Sequence, residues 1–350
     1  MKCVITIVCL LTTIVSYSSA DSCVNRCFTA LDNNYNCQCN TACERFNDCC
    51  PDYVNVCLAT CYLRCGEAAS QNYPCQCNPS CLTFKDCCPD YDALCLNGDT
   101  GTLGAVMADI WESDVNRFTS SDLAINSVGS KLFTYVNEAK FSLPTFAGFI
   151  SLLDNFDRRI GFVESQSDYN LNEVESFLNT LILTNAMILA KTFLVSQGKV
   201  GTGDKDFENA IRELWFNLYP RSSSQSFPDS SGFEHVMVGE HGSNSVSGFH
   251  SWIQFYLEEK KGNLSYSSMV STAEPDMKGA KFTWYGLEKS KGSFFLGTSP
   301  ETDLAIYSVC ALMHPNARCN FSLQGGSVSI QTWDIGHKAG AQIGSAYPAI

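Results

Sequence analysis

The sequence predicts an α+β protein in which two small disulfide-rich modules precede one larger domain, helical in its first half and rich in strands in its second. Three observations carry this. Sixteen of the 20 cysteines crowd between Cys23 and Cys95. Those sixteen fall into two sets of eight with identical spacing, offset by 38 residues. From Gly98 cysteine nearly vanishes, and after Pro228 the text shifts towards Gly, Ser, aromatic and β-branched residues. At 350 residues, with 45% hydrophobic and 17% charged, the chain can bury a substantial core and has no disordered composition.

Residues 1–20 read MKCVITIVCLLTTIVSYSSA, one Lys, an apolar run and small residues ending at Ala20. This predicts a cleaved secretory leader, and the run is short for a bilayer span. The expected location is extracellular, with no membrane anchor; Phe177 to Val195, the next most apolar stretch, is interrupted by Asn179, Asn185 and Lys191 and reads as a buried helix. Net charge is −13, so a broadly basic nucleic-acid coat is excluded, though a local basic pocket is not.

The modules are expected at 21–58 and 59–97. NYNCQCNTACERFNDCCPDY in the first answers NYPCQCNPSCLTFKDCCPDY in the second, so they are two copies of one unit. About forty residues bury too little apolar surface to fold alone, and four disulfides apiece supply the missing stability. The paired Cys49-Cys50 and Cys87-Cys88, the even count and the leader favour disulfides over zinc. Spacing leaves connectivity open, since eight cysteines allow about a hundred pairings. The pattern C-x3-C-x9-C-x-C-x3-C-x5-CC-x6-C over 23–57 and 61–95 resembles the somatomedin-B module. That resemblance implies an extracellular disulfide knot contacting proteins or matrix, with Phe46, Asp48, Phe84 and Asp86 ahead of the CC pairs either facing a partner or packing.

Residues 98–350 form the large domain. Helices are expected from Leu103 to Trp111, from Pro144, from Leu171 to Gln197 as the longest, and from Phe207 to Leu218. Strands are expected at 233–239, 280–286, 292–298, 317–323, 327–333 and 343–349, interrupted by helices Phe249–Lys260 and Glu301–Met313. Cys310 and Cys319 are the only cysteines in this domain, and a disulfide across the helix–strand loop and two unlinked thiols are both open. Asn263 and Asn320 begin glycosylation acceptors.

Five histidines stand at 235, 241, 250, 314 and 337. Imidazole titrates near neutrality, so two can act as proton acceptor and donor in one cycle. A nearby Lys would stabilise charge on a phosphorane. Together they suit RNA cleavage by its own 2′-OH. No GxSxG, HExxH or Walker motif competes.

FEHVMVGE at 233–240 and GFHSWIQFY at 248–256 resemble the EndoU endoribonuclease signatures FEHVFVGE and GFHNWIQFY. FTWYGLEK at 282–289 with GSFFLGTSPE at 292–301 resembles FNW…K…GS.F.G.SPE, and Ser345-Ala346-Tyr347 resembles the closing segment of the family. Met237, Ser251 and Thr283 depart from it without touching a His or the Lys. The modules ahead of this domain resemble the arrangement in placental-protein-11-type members. The resemblance implies cleavage of single-stranded RNA at uridines to 2′,3′-cyclic phosphate ends, stimulated by Mn2+; a monomer is expected. It places catalysis on His235, His250 and Lys289, with Lys291 as the competitor for Lys289, and with His250 as base and His235 as acid. It assigns support to Glu234 and Glu240 and uracil contact to Ser293, Thr332, Trp333 and Tyr347. On a strand, Glu234 would face away from His235. No compact metal-ligand cluster is legible. Two other readings remain open: an inert adhesion protein acting through its modules, and a metal-dependent hydrolase built on His235, His241 and His250.

Overall fold

The computed structural model describes residues 22–23, 35–40, 43–59, 61, 69–89, 91, 95, 102–164, 167–203, 205–222, 225–335 and 342–350. The expected leader and His337 lie outside these residues. The chain divides into two compact units, Met1–Tyr91 and Asp92–Ile350.

The first unit is built on sulfur. Disulfides join Cys23–Cys39, Cys37–Cys50 and Cys43–Cys49, and the second copy repeats them as Cys61–Cys77, Cys75–Cys88 and Cys81–Cys87. Cys57 and Cys95 are also disulfide-bonded. Each copy has a short helix, α1 (Cys43–Phe46) with α2 (Tyr53–Cys57) in the first and α3 (Cys81–Phe84) in the second. A parallel bridge pins each CC pair, Gln38 to Cys49 and Gln76 to Cys87. Each crosslink contributes about 2–4 kcal/mol by restricting the unfolded chain. Zinc is excluded for the described cysteines: the two trios close enough to hold a metal, Cys23/Cys39/Cys50 and Cys61/Cys77/Cys88, are all spent in disulfides. Phe46 and Phe84 are 67% and 74% exposed, so neither is a core residue of its module.

The second unit begins with α4 (Leu103–Glu112), whose first turn is capped by Thr102 Oγ1 accepting from Ala105 N at 3.3 Å. A small hairpin, β1 (Leu123–Ile125) and β2 (Phe133–Val136), follows, then α5 (Pro144–Ser151) opened by its proline. The single helix expected over 171–197 is two: α6 (Asp168–Leu181) and α7 (Asn185–Ser196), bent 81° apart. The apolar spacing runs through the break, but Thr184 is an N-cap whose Oγ1 accepts from Met187 N at 3.4 Å. Among the described residues no single helix is long and apolar enough to cross a membrane. Helix α8 (Asp206–Phe216) closes the helical half.

In the second half the expected strand at 233–239 is a wide helical turn, Glu234–Val238, closed by Gly239 N donating to Glu234 O at 2.8 Å. Phe233 fixes it from behind, stacked on Phe216 at 5.0 Å and edge-on to Phe149 at 5.4 Å. A two-residue hairpin, β3 (Glu240–His241) and β4 (Val246–Ser247), then leads to α9 (Trp252–Lys261). That helix starts three residues later than expected because Phe249 sits at φ 70° and Ser251 is the cap.

Two antiparallel sheets carry the rest. The first is β5 (Leu264–Ala273), β6 (Met277–Trp284) and β7 (Leu287–Phe295); the second is β8 (Arg318–Leu323), β9 (Gly326–Asp334) and β10 (Ile343–Pro348), ordered β10-β9-β8. Strand β5 was hidden by its Ser/Thr-rich text, and β7 begins five residues before the expected 292. Helix α10 (Pro300–Met313) lies almost wholly in the core, and the open question of Cys310 and Cys319 is decided: they are bonded to each other.

Candidate active site

His235 rides on the wide turn, and the chain after it is folded back against it. Phe249 N donates to His235 O at 3.0 Å and His250 N to Val236 O at 2.7 Å, so the two histidine segments are stitched together by backbone. This approach needs glycine: at Gly248, with φ 61°, a Cβ would stand 1.8 Å from His235 O. Phe249 follows in the same left-handed region, its strain held by packing on Trp284 at 4.9 Å and Phe282 at 5.1 Å.

The hydrogen bonds fix the state of each imidazole. Arg221 Nη2 lies 3.0 Å from His235 Nε2, and a guanidinium can only donate, so Nε2 accepts and Nδ1 carries the proton. That Nδ1 donates to Glu240 Oε2 at 2.6 Å, and the other Glu240 oxygen accepts from Ser230 Oγ. Burial lowers the His235 pKa; Glu240 opposes this, while Arg221 and Lys289 add to it. Burial pushes Glu240 up, yet His235 and Arg221 outweigh it and the carboxyl ends below its ordinary value. His250 donates from Nδ1 to Ser293 O at 2.8 Å, leaving the Nε2 lone pair free, and its ring stacks on Tyr347 at 4.7 Å. Burial, then the Lys289 charge, hold it well below the ordinary histidine value.

Lys289, Lys291 and Ser293 all lie on β7, where a bulge in the pairing with β6 falls between Lys289 and Gly292, and all three line one cavity. Lys289 is largely buried, and burial, with Arg221 nearby, brings its pKa down to about 8. Lys291 is exposed and donates to Ile350 O. One cavity of about 740 Å³ is lined by His235, His250, Lys289, Lys291 and Ser293, and by Arg318, Gln331, Trp333, Ser345 and Tyr347 of the second sheet. Within a chain of net charge −13 the cavity is therefore basic.

The sequence of this unit matches the family model Endoribonuclease XendoU over residues 102–348. This chain belongs to the XendoU endoribonuclease family. Ahead of the XendoU domain, the Somatomedin B domain model matches twice, at 21–60 and 59–98. Relatives that share the XendoU domain include the uridylate-specific endoribonuclease of Paralichthys olivaceus, 45% identical over 91% of this chain and 90% of that protein. The Homo sapiens uridylate-specific endoribonuclease is 33% identical over 91% and 75%. A solved XendoU structure, described as a splicing-independent snoRNA-processing endoribonuclease, aligns with a TM-score of 0.61. It is 33% identical and covers 70% of this chain and 96% of its own.

The XendoU cavity gathers most of the residues singled out from sequence. His235, His250 and Lys289 meet there with Ser293, Trp333 and Tyr347, and Glu240 lies directly behind His235. Thr332 does not reach it. Its side chain points to the opposite face of β9, where Oγ1 donates to His314 O at 2.5 Å and Ala317 O at 3.3 Å. Glu234 is fully buried outside the cavity, both oxygens without a hydrogen-bond partner, and its pKa is pushed up to about 11 by burial and then by Glu240, Glu164 and Asp229. It stands beside His235 on a helical turn, so the expected strand alternation does not describe it. His241 is also outside, its Nδ1 on Gly242 O and its ring against Trp284. The three-histidine metal centre is therefore not formed. Arg221 was missed: it is a lone basic residue after Pro220 in a loop with no motif, and only the fold brings it onto His235.

Proposed function

We propose that this enzyme is a secreted, uridylate-preferring endoribonuclease that cleaves single-stranded RNA by 2′-OH attack and leaves 2′,3′-cyclic phosphate ends. The observation that carries the reading is the pair of differently wired imidazoles in one basic cavity. His250, with Nδ1 committed to Ser293 O, offers Nε2 as the base that takes the 2′-OH proton. O2′ then attacks phosphorus, and charge building on the non-bridging oxygens is met by Lys289 and Arg221. The bond from phosphorus to O5′ breaks, and His235 Nε2 delivers the proton to the leaving oxygen. Glu240 supports the imidazolium form of His235 at Nδ1, which favours His235 as the acid. A phosphate in the cavity competes for Arg221 and so releases Nε2 for protonation.

Uracil is read beside His250, where the Ser293 side chain and the Tyr347 ring line the wall. Secretion is supported by the leader-like first twenty residues and by the disulfides in both units. The exposed Phe46 and Phe84 support an extracellular protein or matrix partner for the modules, and one chain supplies the whole cavity, which supports a monomer. The protein's own donors do not form a manganese site: among the described residues no three His, Asp or Glu side chains bring ligand atoms within 4.8 Å of one another. The steps above therefore assign nothing to a metal. The inert-adhesion reading leaves the His/His/Lys cavity without a purpose.

The test is product-end analysis on an oligoribonucleotide with a single uridine. Cyclic-phosphate ends at that uridine, and no cleavage when it carries 2′-deoxyribose, are expected. Cutting of the deoxy substrate at the same position would refute in-line attack by the 2′-OH.

A further inference from the structure

The cavity continues beyond the catalytic pair as a row of side chains laid across the second sheet. In the register of β10, β9 and β8, Tyr347 faces Gln331 and Gln331 faces Arg318. Residues directly opposite in antiparallel strands share a face, so the three form one cross-strand row. Trp333, two residues on from Gln331, stands on the same face, 49% exposed. All four line the cavity, and Tyr347 begins the row in contact with His250. Arg318 ends it two strand spacings away, about 10 Å in backbone terms. Its guanidinium is exposed, and among the described residues no carboxylate pairs with it.

Net charge makes this placement informative. With 36 acidic against 23 basic residues, a cation left unpaired at the mouth of a basic cavity is not the general surface pattern. Two strand spacings along the row from Tyr347, it is placed to meet a phosphate other than the one acted on between His235, His250 and Lys289. A guanidinium offers the planar fork that grips phosphate oxygens. Chains of single-stranded nucleic acid are held by such cations along the backbone with aromatic faces beside them.

We propose that Arg318 binds the phosphate of a nucleotide outside the scissile pair, with Trp333 beneath the base it carries, so that the enzyme recognises a stretch of RNA longer than a dinucleotide. This rests on the endoribonuclease reading for the identity of the ligand. It adds that substrate length is sensed on the β8–β9–β10 face.

The experiment uses the full chain and a fluorescent hexanucleotide whose single uridine carries 2′-deoxyribose, so that binding is read without cleavage. Arg318→Ala is expected to weaken binding about tenfold, the size of one charged hydrogen bond. The slope of log affinity against log salt is expected to shrink by about 0.7, one phosphate on a single strand. Arg318→Lys should recover the slope, because the charge remains, and part of the affinity. With cleavable substrates, the preference of kcat/KM for the hexanucleotide over the dinucleotide UpA should fall by a similar factor in Arg318→Ala. Extending UpA by one nucleotide on the 5′ or on the 3′ side shows which flank restores the difference. Unchanged affinity and slope, or equal losses on hexanucleotide and dinucleotide, would overturn the assignment. A wild-type protein that binds the hexamer in an Arg318-dependent way yet cuts nothing would sink the nuclease reading and leave the Arg318 site standing. One that neither binds nor cuts would sink both.

Discussion

Replacing Glu240 with Gln removes one buried charge and almost no volume, and so isolates what that carboxylate does for His235. In the native protein Oε2 accepts from His235 Nδ1 at 2.6 Å, and the carboxyl group is buried with its other oxygen on Ser230. An opposite charge in contact favours the ionised imidazole by about 1–3 pKa units, or about 1.4–4 kcal/mol. Glu240 already works against burial, which lowers the His235 pKa. Without it that pKa falls further. At neutral pH the population of imidazolium able to protonate the leaving 5′-oxygen then drops about 10- to 1,000-fold. The assay is kcat/KM against pH on a uridine-containing oligomer for wild type and Glu240→Gln. The variant should lose activity by that factor at about pH 7 and recover part of it as pH is lowered, because acid restores the missing proton. Activity close to wild type at neutral pH, or a loss equal at every pH, would refute the argument that Glu240 acts by holding the charge on His235. A melting curve on the same sample separates this from unfolding.

Gly248→Ala places a Cβ 1.8 Å from His235 O at a residue with φ 61°. Strain of about 1–3 kcal/mol and a displaced His250 are expected, read as a lowered Tm together with a large loss of kcat. Lys289→Met should cost at least about tenfold more in kcat than Lys291→Met, since only Lys289 sits in the field of both histidines. Lys289 is protonated below its pKa of about 8 and neutral above it, so wild-type activity that needs its charge declines as pH rises through 8; Lys289→Met should lack that alkaline limb. Thr332→Val should lower Tm by removing a buried hydrogen bond worth about 1 kcal/mol while leaving KM for uridine substrates in place; a raised KM with unchanged Tm would put Thr332 back in the uracil site.

Much of the candidate site was legible because its residues sit in continuous text. The GFHSWIQFY run carries both His250 and the Gly248 that lets the backbone approach His235, while Lys289 and Ser293 lie in the family-like text FTWYGLEK and GSFFLGTSPE. The turn that carries His235 was not legible. FEHVMVG carries the Val-rich, apolar text of a short strand without its strict alternation, and it is a helical turn in a fold that anchors Phe233 among Phe149, Phe177 and Phe216, residues distant in sequence. The same reason explains Glu234. Its neutral, buried state depends on Glu240, Glu164 and Asp229 lying near it, and a linear text does not report such neighbours. Thr332 and Trp333, adjacent in sequence, were read as one contact, but alternation on β9 sends them to opposite faces.

By itself the sequence determined the modular plan, because a repeat of eight cysteines at a fixed offset is a one-dimensional fact, as is the periodicity that marks most helices and strands. It also determined the chemical inventory, two imidazoles and an amine. Tertiary structure alone decided which nitrogen of each imidazole is free, that Arg221 caps one of them, and that Arg318 lies at the end of a cross-strand row leading from the other. Protonation and charge stabilisation are set by partners within a few ångströms, and only folding makes residues far apart in the chain into such partners.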